Sequence, residues 1–313
     1  MAAYIVRRLL ATILVMALVG VFVFLLLHIA PGNPAAIIAG DNATPAQIAA
    51  IRQQLGLADP LLVQFVRWSW HLLQGNFGIS IFSGVPVITL IGQRLPATLE
   101  LTALTITFAV ILAVAAGVIA AWRAGGWLDG FLMGFAALGF STPVFVLGYF
   151  LIYFFAIRLH WLPVQGFVPF GQGFWPWLSH LILPAVALGL AYVALIARIT
   201  RASMLEVLAE DYIRTARAKG ASTSAMLFRH ALKNAGVPIV TVIGIGVALL
   251  ISGVVVTETV FNIPGVGRLA VDAITNRDYP IIQGVMVIFS GAYVIVNLLV
   301  DLTYTLIDPR VRY

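Results

Sequence analysis

Six long apolar segments constrain this 313-residue chain more than any other feature of its sequence. A helix needs about 20 apolar residues to cross the roughly 30 Å hydrocarbon core of a bilayer. Each segment reaches that length and offers no polar face to water. The segments are residues 9–29, 98–121, 131–157, 178–197, 238–257 and 281–306. The sequence therefore predicts an all-α membrane protein with six transmembrane helices.

The composition of the chain excludes the main soluble classes. Hydrophobic residues make up 61% of the sequence and charged residues 10%, whereas a typical soluble domain carries roughly 25% charged residues. One or two soluble domains do not have enough interior to bury so much apolar surface. Because the chain has no cysteine, disulfide scaffolds, thiolate metal sites and cysteine nucleophiles are also excluded.

The distribution of Lys and Arg predicts the orientation, because the cytoplasmic loops of membrane proteins are enriched in these residues. A six-span topology places twelve of the 18 cations on one side, against Arg158, Arg268 and Arg277 in the opposite short loops. Both termini are therefore predicted to be cytoplasmic. Topology thus explains the net charge of +6, and we expect no nucleic acid as a partner. The twelve cations are Arg7, Arg8, Arg123, Arg198, Arg201, Arg214, Arg217, Lys219, Arg229, Lys233, Arg310 and Arg312.

The long connection after the first span, residues 30–97, is predicted to be an extracytoplasmic region with helices of its own. Residues 44–47, Thr-Pro-Ala-Gln, combine an N-cap with Pro at the first helical position, and the following stretch stops at Gly56. Asp-Pro at 59–60 repeats the start signal before a second stretch that stops at Gly75. Two readings of these amphipathic helices stay open. They rest on the membrane surface with Trp anchors, or they face a substrate or partner.

Two features inside the spans predict local helix geometry. Ser-Thr-Pro at 141–143 and Pro184 are predicted to bend the third and fourth spans, because proline removes a backbone hydrogen bond. Thr98, Thr102 and Thr105 share one face of the second span. Their hydroxyls are predicted to bond back to helix carbonyls or to pack against another helix, in preference to lining a solute path.

Ionisable residues within spans are costly and are therefore candidates for function. Glu100, Glu258 and Asp301 each lie close to the end of a span. Glu100 and Glu258, together with Asn297, are candidate residues of a translocation path. Helix-end packing and hydrogen bonds between subunits remain the alternative roles. The spans contain no deep series of Asp, Glu and His residues of the kind that a proton relay needs.

The most polar part of the chain is the 40-residue segment 198–237, with seven cations and three acids. A connection of this length is unusual unless it folds or has a function. Residues 206–219 predict a helix, and Gly220 stands where a left-handed C-terminal residue is needed. A second helix is predicted to begin at 222–224. We expect a helix, a glycine turn and a second helix held against the membrane face.

This segment resembles the EAA loop of bacterial ABC-importer permeases, which inserts a short coupling helix into a groove of the ATPase subunit. The resemblance rests on EDYIRTARAKG at 210–220 and RHALKN at 229–234. Positions that keep the general pattern are Ala216, Gly220 and Leu232, and positions that depart from it are Arg214, Thr215 and Lys233. Those departures are typical of the dipeptide, oligopeptide and nickel branch of the permeases.

The resemblance extends over nearly the whole chain, to the B-type permease subunit of that branch. The matching segments are 30–34, 55–60, 75–78, 94–98, 261–267, 277–280, 297–302 and 308–310. It implies a type I ABC-importer permease fold with three parts: residues 1–29 with the first helix, the loop region 30–97, and a core at 98–313 that includes the coupling loop 198–237. The residues implied to contact the ATPase are Asp211, Tyr212, Arg214, Thr215, Ala216, Arg217, Gly220, Phe228 and His230.

The function implied by the resemblance is import of dipeptides or oligopeptides across the bacterial inner membrane by alternating access. The implied partners are a second permease in a heterodimer, two ABC ATPases, an extracytoplasmic solute-binding protein, the lipid bilayer and a peptide-like solute. The chain has only two lysines, Lys219 before Gly and Lys233 before Asn, so neither fits a P-loop. ATP and Mg²⁺ are therefore expected on partner subunits, and this chain is expected to be non-catalytic, without a cofactor or metal of its own.

Three alternatives stay open at this point. A nickel or glutathione importer of the same family would have the same permease pattern. An ion-coupled secondary transporter would need coupling sites at the membrane midplane, and the shallow charges together with the 40-residue loop argue against it. An intramembrane protease would need a G-x-S-G motif or two deep aspartates, but Asp301 is the only Asp well inside a predicted span.

Overall fold

The computed structural model describes residues 2–29, 34–39, 43–54 and 56–307, and these are almost entirely helical. The helices are α1 (Ala2–Ile29), α2 (Pro34–Ala39), α3 (Pro45–Gln54), α4 (Leu61–Leu73), α5 (Val87–Trp122), α6 (Trp127–Ser141), α7 (Val144–Leu151), α8 (Phe174–Leu208), α9 (Asp211–Ala218), α10 (Leu232–Asn234), α11 (Gly236–Val260), α12 (Val266–Asn276) and α13 (Tyr279–Ile307). Within these ranges no strand forms, and an isolated bridge joins Ile79 to Pro86. The predicted all-α class is confirmed.

Three helices are each long and apolar enough to cross a membrane: Val87–Trp122, Phe174–Leu208 and Tyr279–Asp301. Two bent pairs of helices raise the number to as many as five if each pair is one span. The first helix contributes a shorter apolar run, Leu10–Leu26. Helices therefore occupy all six predicted segments, while the count of six spans stays a prediction.

The predicted bend in the third segment is confirmed, whereas α8 runs through Pro184 as one helix and a bend there stays a prediction. Helix α6 ends at Ser141, and Trp127–Ser141 meets Val144–Arg158 at an angle of 105°. Thr142 is extended, with φ −92° and ψ 123°, because a residue that precedes proline avoids the helical region. After α7 the chain continues in a π-helical turn at Ile152–Arg158.

The predicted back-bonding is confirmed for Thr102 and Thr105, whereas Thr98 donates its hydroxyl to Glu258. The hydroxyl of Thr102 donates to the carbonyl of Thr98 at 2.7 Å, and that of Thr105 donates to the carbonyl of Leu101 at 2.8 Å. Small residues nearby allow close helix contact. A Cβ added at Gly117 of α5 would lie 2.5 Å from the Cβ of Thr200 on α8. Helices α5 and α8 therefore pack closely at this position.

Contacts between residues divide the chain into two compact units. One comprises Pro96–Arg268 with Ile295–Tyr313, and the other comprises Ala2–Leu95 with Leu269–Val294. The boundaries predicted from the sequence, after residues 29 and 97, divide the chain into consecutive segments, whereas each compact unit combines separate segments. Those boundaries stay a prediction.

The unit that contains residues 2–95 includes the two helices predicted in the long connection. The N-terminus of α3 has the expected reciprocal cap: Thr44 N–H donates to Gln47 Oε1 at 2.8 Å, and Gln47 N–H donates to Thr44 Oγ1 at 3.4 Å. Gly56 and Gly75 follow α3 and α4 with φ of +66° and +78°. Both helices are confirmed, whereas α2 and α12 were not predicted.

Two segments of the same unit meet at a buried carboxylate. Ser80, in the connection after α4, donates its hydroxyl to Asp278 Oδ2 at 2.6 Å. The backbone N–H of Ile81 donates to Asp278 Oδ1 at 3.3 Å. Asp278 is 2% exposed, so these two bonds tie the start of α13 to the connection between α4 and α5.

Candidate functional site

The first helix of the polar segment, α9, begins at Asp211 and not at residue 206 as predicted, because residues 206–208 belong to α8 and the chain turns at 209–210. Glu210 is extended and precedes Asp211 in the first turn, where an acidic side chain suits the helix dipole. At the other end Gly220 has φ +82°. Its N–H donates to the carbonyl of Arg217 at 3.0 Å, and Ala221 N–H donates to that of Ala216 at 3.1 Å. These bonds form a Schellman motif, so the predicted glycine stop is confirmed.

The second helix follows after one short turn. Ser222 begins it: its Oγ accepts the N–H of Ala225 at 3.3 Å, and its carbonyl accepts the N–H of Met226 at 2.9 Å. The helix runs as a π-helical turn, Ala225–Ala231, into α10. It then bends by 67° into α11. We call α9 and the helix 225–234 the polar helix pair.

One face of the polar helix pair is buried against three long helices. Ile213 is 1% exposed and contributes to one apolar cluster with Met226 and Leu227 of the second helix. The same cluster includes Val118 and Ala121 of α5, Met204 of α8 and Ile239 of α11. The polar helix pair is therefore in direct packing contact with one end of each of these three helices.

The opposite face is exposed and carries two aromatic rings. Tyr212 is 41% exposed and Phe228 is 57% exposed. Asn234 donates its side-chain amide to the Tyr212 hydroxyl at 2.8 Å, which ties the two helices together at this face. Arg214 and Asp211 form an ion pair of 3.3 Å, but both are largely exposed, and such pairs contribute little stability.

The structure places all nine predicted coupling residues on the polar helix pair or its connecting turn. Ala216 and His230 are half-buried, and the exposed residues are Asp211, Tyr212, Arg214, Thr215, Arg217, Gly220 and Phe228. Sequence reasoning missed the bond between Tyr212 and Asn234, which are 22 positions apart. No local pattern signals that pair. The role of these residues in coupling stays a prediction.

Glu258, predicted for the translocation path, is fully buried, with 0% exposure. Its Oε1 accepts the hydroxyl of Thr98 at 2.6 Å, and its Oε2 accepts the backbone N–H of Arg268 at 2.9 Å. The Thr98 hydroxyl oxygen in turn accepts the N–H of Val266 at 2.8 Å. The carboxylate thus caps the first turn of α12, where negative charge is favourable.

The other two path candidates have different surroundings. Glu100 accepts the indole N–H of Trp177 at 2.7 Å and is half-buried. Asn297 lies half-buried on α13. A path role for Glu100, Glu258 and Asn297 stays a prediction. The described part of the chain contains no group of three or more His, Cys, Asp or Glu that could hold a metal ion.

A second ion pair joins α6 to α8. Arg201 Nε lies 2.6 Å from Asp129 Oδ1, and its Nη2 lies 2.6 Å from Oδ2. Gly125 N–H also donates to Oδ2, at 3.0 Å, and Asp129 is 5% exposed. Sequence reasoning assigned Arg201 to membrane topology alone, because its partner is 72 positions away.

Two family models match the chain. The model of the binding-protein-dependent transport system inner membrane component matches residues 113–313. The N-terminal model of the binding-protein-dependent transport system membrane component matches residues 1–102. Together they include the polar helix pair, Glu258 and most of α5.

Named relatives are similar over their full length. The chain is 64% identical over 313 residues to the "Probable peptide ABC transporter permease protein y4tP" of Sinorhizobium fredii (strain NBRC 101917 / NGR234), with 100% of both chains covered. It is 45% identical over 314 residues to the "Glutathione transport system permease protein GsiC" of Escherichia coli (strain K12), again with 100% of both covered.

Solved structures share the fold at low sequence identity. An inward-facing structure of the MetNI methionine ABC transporter aligns with a TM-score of 0.59 at 18% identity, over 71% of this chain and 97% of that chain. An amino acid ABC transporter aligns with a TM-score of 0.52 at 17% identity, over 69% of this chain and 92% of that chain. From the two family models and the full-length relatives, the chain belongs to the family of binding-protein-dependent transport system inner membrane components.

Proposed function

We propose that the chain is the permease subunit of an ABC importer and that separate ATPase subunits drive it through the polar helix pair. One observation supports this most directly. The pair buries one face in the cluster around Ile213 and Met226 and exposes Tyr212 and Phe228 on the other. A surface of this kind binds a partner on one side and transmits its motion on the other.

The energy for transport comes from outside the chain in this proposal. Neither lysine of the chain fits a phosphate-binding loop. Nucleotide binding changes the permease only if it favours one of its two conformations over the other. In this proposal nucleotide binding shifts the balance between the two conformations through the polar helix pair, because the pair packs against α5, α8 and α11 at once. The transport mechanism is alternating access.

The solute is a peptide. The relative that is 64% identical is named for peptides, and the relative that is 45% identical is named for glutathione, which is itself a small peptide. Glutathione is therefore the alternative solute. Uptake of labelled dipeptide, competed with unlabelled glutathione, distinguishes the two.

The complex consists of this chain, a second permease, two ATPases and an extracytoplasmic solute-binding protein. Both termini and the polar helix pair face the cytoplasm, in line with the twelve cations on that side. Glu100 and Asn297 are path residues in this proposal. Substituting each by alanine lowers uptake without releasing the ATPases, and normal uptake by both variants removes them from the path.

The exposed ring of Phe228 provides the test of coupling. Phe228→Asp places a charge on the docking surface, whereas Phe228→Leu keeps an apolar side chain there. We expect Phe228→Asp to lose the ATPases on purification and to lose uptake, and Phe228→Leu to retain both. The proposal is wrong if Phe228→Asp and Tyr212→Asp both keep the ATPases and transport normally.

A further inference from the structure

Helix α4 is apolar on two sides, which is unusual for a helix outside the predicted spans. Its polar stripe consists of Gln64, Arg67 and His71 at helical spacing. Phe65 and Trp68 lie beside that stripe and turn inwards. Four large apolar residues occupy the remaining side at positions i, i+4, i+8 and i+11: Leu62, Val66, Trp70 and Leu73.

The polar and inner stripes already have partners within the chain. The rings of Phe65 and Trp68 lie 5.3 Å and 5.9 Å from that of Phe24 on α1. Arg67 pairs with Asp59 at 2.8 Å. The polar stripe also lines a cavity of about 280 Å³ next to α1. The stripe 62/66/70/73 is therefore the side of α4 that faces away from the protein.

That outer stripe is highly exposed. Leu62 is 74% exposed, Val66 60%, Trp70 60% and Leu73 81%. Four such residues in one row form a contiguous apolar surface, which soluble surfaces rarely present without a partner.

The contacts between α1 and α13 give a reference level, the start of α13, from which the position of α4 along α1 is measured. Gln283 donates its side-chain amide to the carbonyl of Val23 at 3.3 Å. A Cβ added at Gly291 would lie 3.9 Å from Met16 Cε. The two helices therefore run antiparallel in register, and the start of α13 is level with about residue 27 of α1.

Helix α4 lies within that same zone. Gln64 Oε1 is 3.2 Å from His28 Nε2. Further along, Trp68 reaches Gly20, where an added Cβ would lie 3.9 Å from the indole ring. The contacts of α4 thus extend from the level of the first residue of α13 to about 10 Å below it. Interfacial helices bury their apolar face to roughly this depth in a bilayer.

The side of α1 that faces away from α4 is also apolar and exposed at this level. Leu18 and Phe22 of α1 lie at the same level and are 62% and 59% exposed. Because α1 carries the apolar run Leu10–Leu26, we expect its exposed side chains at this level to face lipid. Trp70 stands in the middle of the α4 stripe, and tryptophan is enriched at membrane interfaces.

We propose that α4 is an interfacial helix whose stripe Leu62, Val66, Trp70 and Leu73 sits in the acyl-chain boundary of one bilayer leaflet, the extracytoplasmic one in the predicted topology. The partner of this surface is lipid. The proposal depends on the membrane location of α1 and α13 and is independent of the coupling function proposed for the polar helix pair.

The cysteine-free sequence allows a direct test. Single cysteines replace each stripe residue in turn (Leu62→Cys, Val66→Cys, Trp70→Cys, Leu73→Cys) in the full chain in lipid nanodiscs, and each carries a bimane label. Leu18→Cys on α1 is the lipid-facing control, and Ala218→Cys, exposed on α9, is the water-facing control. Brominated lipids and aqueous iodide serve as quenchers.

We expect the four stripe labels to lose fluorescence with brominated lipid and to resist iodide, as at Leu18, with the reverse at Ala218. The response of the four stripe labels should persist when the purified partner subunits are added, whereas the label at Ala218, on the proposed ATPase-docking helix, serves as the control only in their absence. Quenching of the stripe by iodide alone overturns the proposal. Protection from both quenchers also overturns it, as does loss of lipid quenching on addition of the binding protein, because either result identifies a protein partner.

Discussion

The substitution Glu258→Gln removes the negative charge of a fully buried side chain and changes its size little. In the native chain one oxygen accepts a bond from the Thr98 hydroxyl and the other accepts the N–H of Arg268. A glutamine side chain keeps one acceptor but places an NH₂ donor against one of these two donors. Gly265 and Gly267 pack directly against the carboxylate, so the new side chain has no room to rotate away.

The size of the effect follows from the lost bonds. A hydrogen bond to a charged group contributes about 1.5–3 kcal/mol, and a buried donor left without an acceptor costs about 1–3 kcal/mol. The remaining oxygen of the glutamine still accepts one hydrogen bond, which recovers part of this free energy. We therefore expect the free energy of unfolding to fall by about 3 kcal/mol. At about 2 °C per kcal/mol for a chain of this length, the midpoint falls by roughly 6 °C.

The assay is thermal unfolding of the purified full chain in detergent. Glu206→Gln is the matched control, because Glu206 is exposed near the end of α8, and we expect its midpoint to equal that of the native chain. Equal midpoints for Glu258→Gln and Glu206→Gln would refute the idea that the carboxylate fixes the start of α12.

Further predictions concern the polar helix pair and the ion pair of α6. Gly220→Val should lower the free energy of unfolding by about 1–2 kcal/mol because a branched side chain disfavours φ +82°, while Gly220→Asn should be nearly neutral; thermal unfolding compares them. Arg201→Ala should cost about 3 kcal/mol in the same assay because it leaves the buried Asp129 carboxylate without its cation, and Arg201→Lys should recover part of this. Ala216→Trp should reduce the peptide taken up per ATP hydrolysed in proteoliposomes while the complex still assembles, and unchanged uptake would contradict tight docking at this face.

Local sequence signals predicted the elements whose cause is local. The cap of α3 depends on Thr44 and Gln47, three positions apart, and the turn after α9 depends on Gly220. The bend after α6 depends on Pro143. In each case the residue that causes the structure is next to it, so the sequence alone is sufficient.

Contacts between residues far apart in the sequence could not be predicted in this way. Thr98 and Glu258 are 160 positions apart, and Asp129 and Arg201 are 72 apart. From the sequence alone, neither carboxylate could be assigned its partner. The end of α8 was also missed. Hydropathy marks the predicted membrane boundary near residue 197, but the helix continues to Leu208. It continues because its polar residues are also good helix formers.

Helix α8 is one continuous helix, so a tilt about one of its ends displaces the other end. Its 35 residues extend about 52 Å, and its two ends contact different parts of the chain. Trp177 bonds to Glu100 near one end, and Met204 packs with Ile213 near the other. A tilt of about 10° about either end moves the opposite end by about 9 Å over this length. If α8 tilts as one rigid body with the polar helix pair, we therefore expect a small rotation of the pair to displace the far end of α8 by nearly the width of a helix.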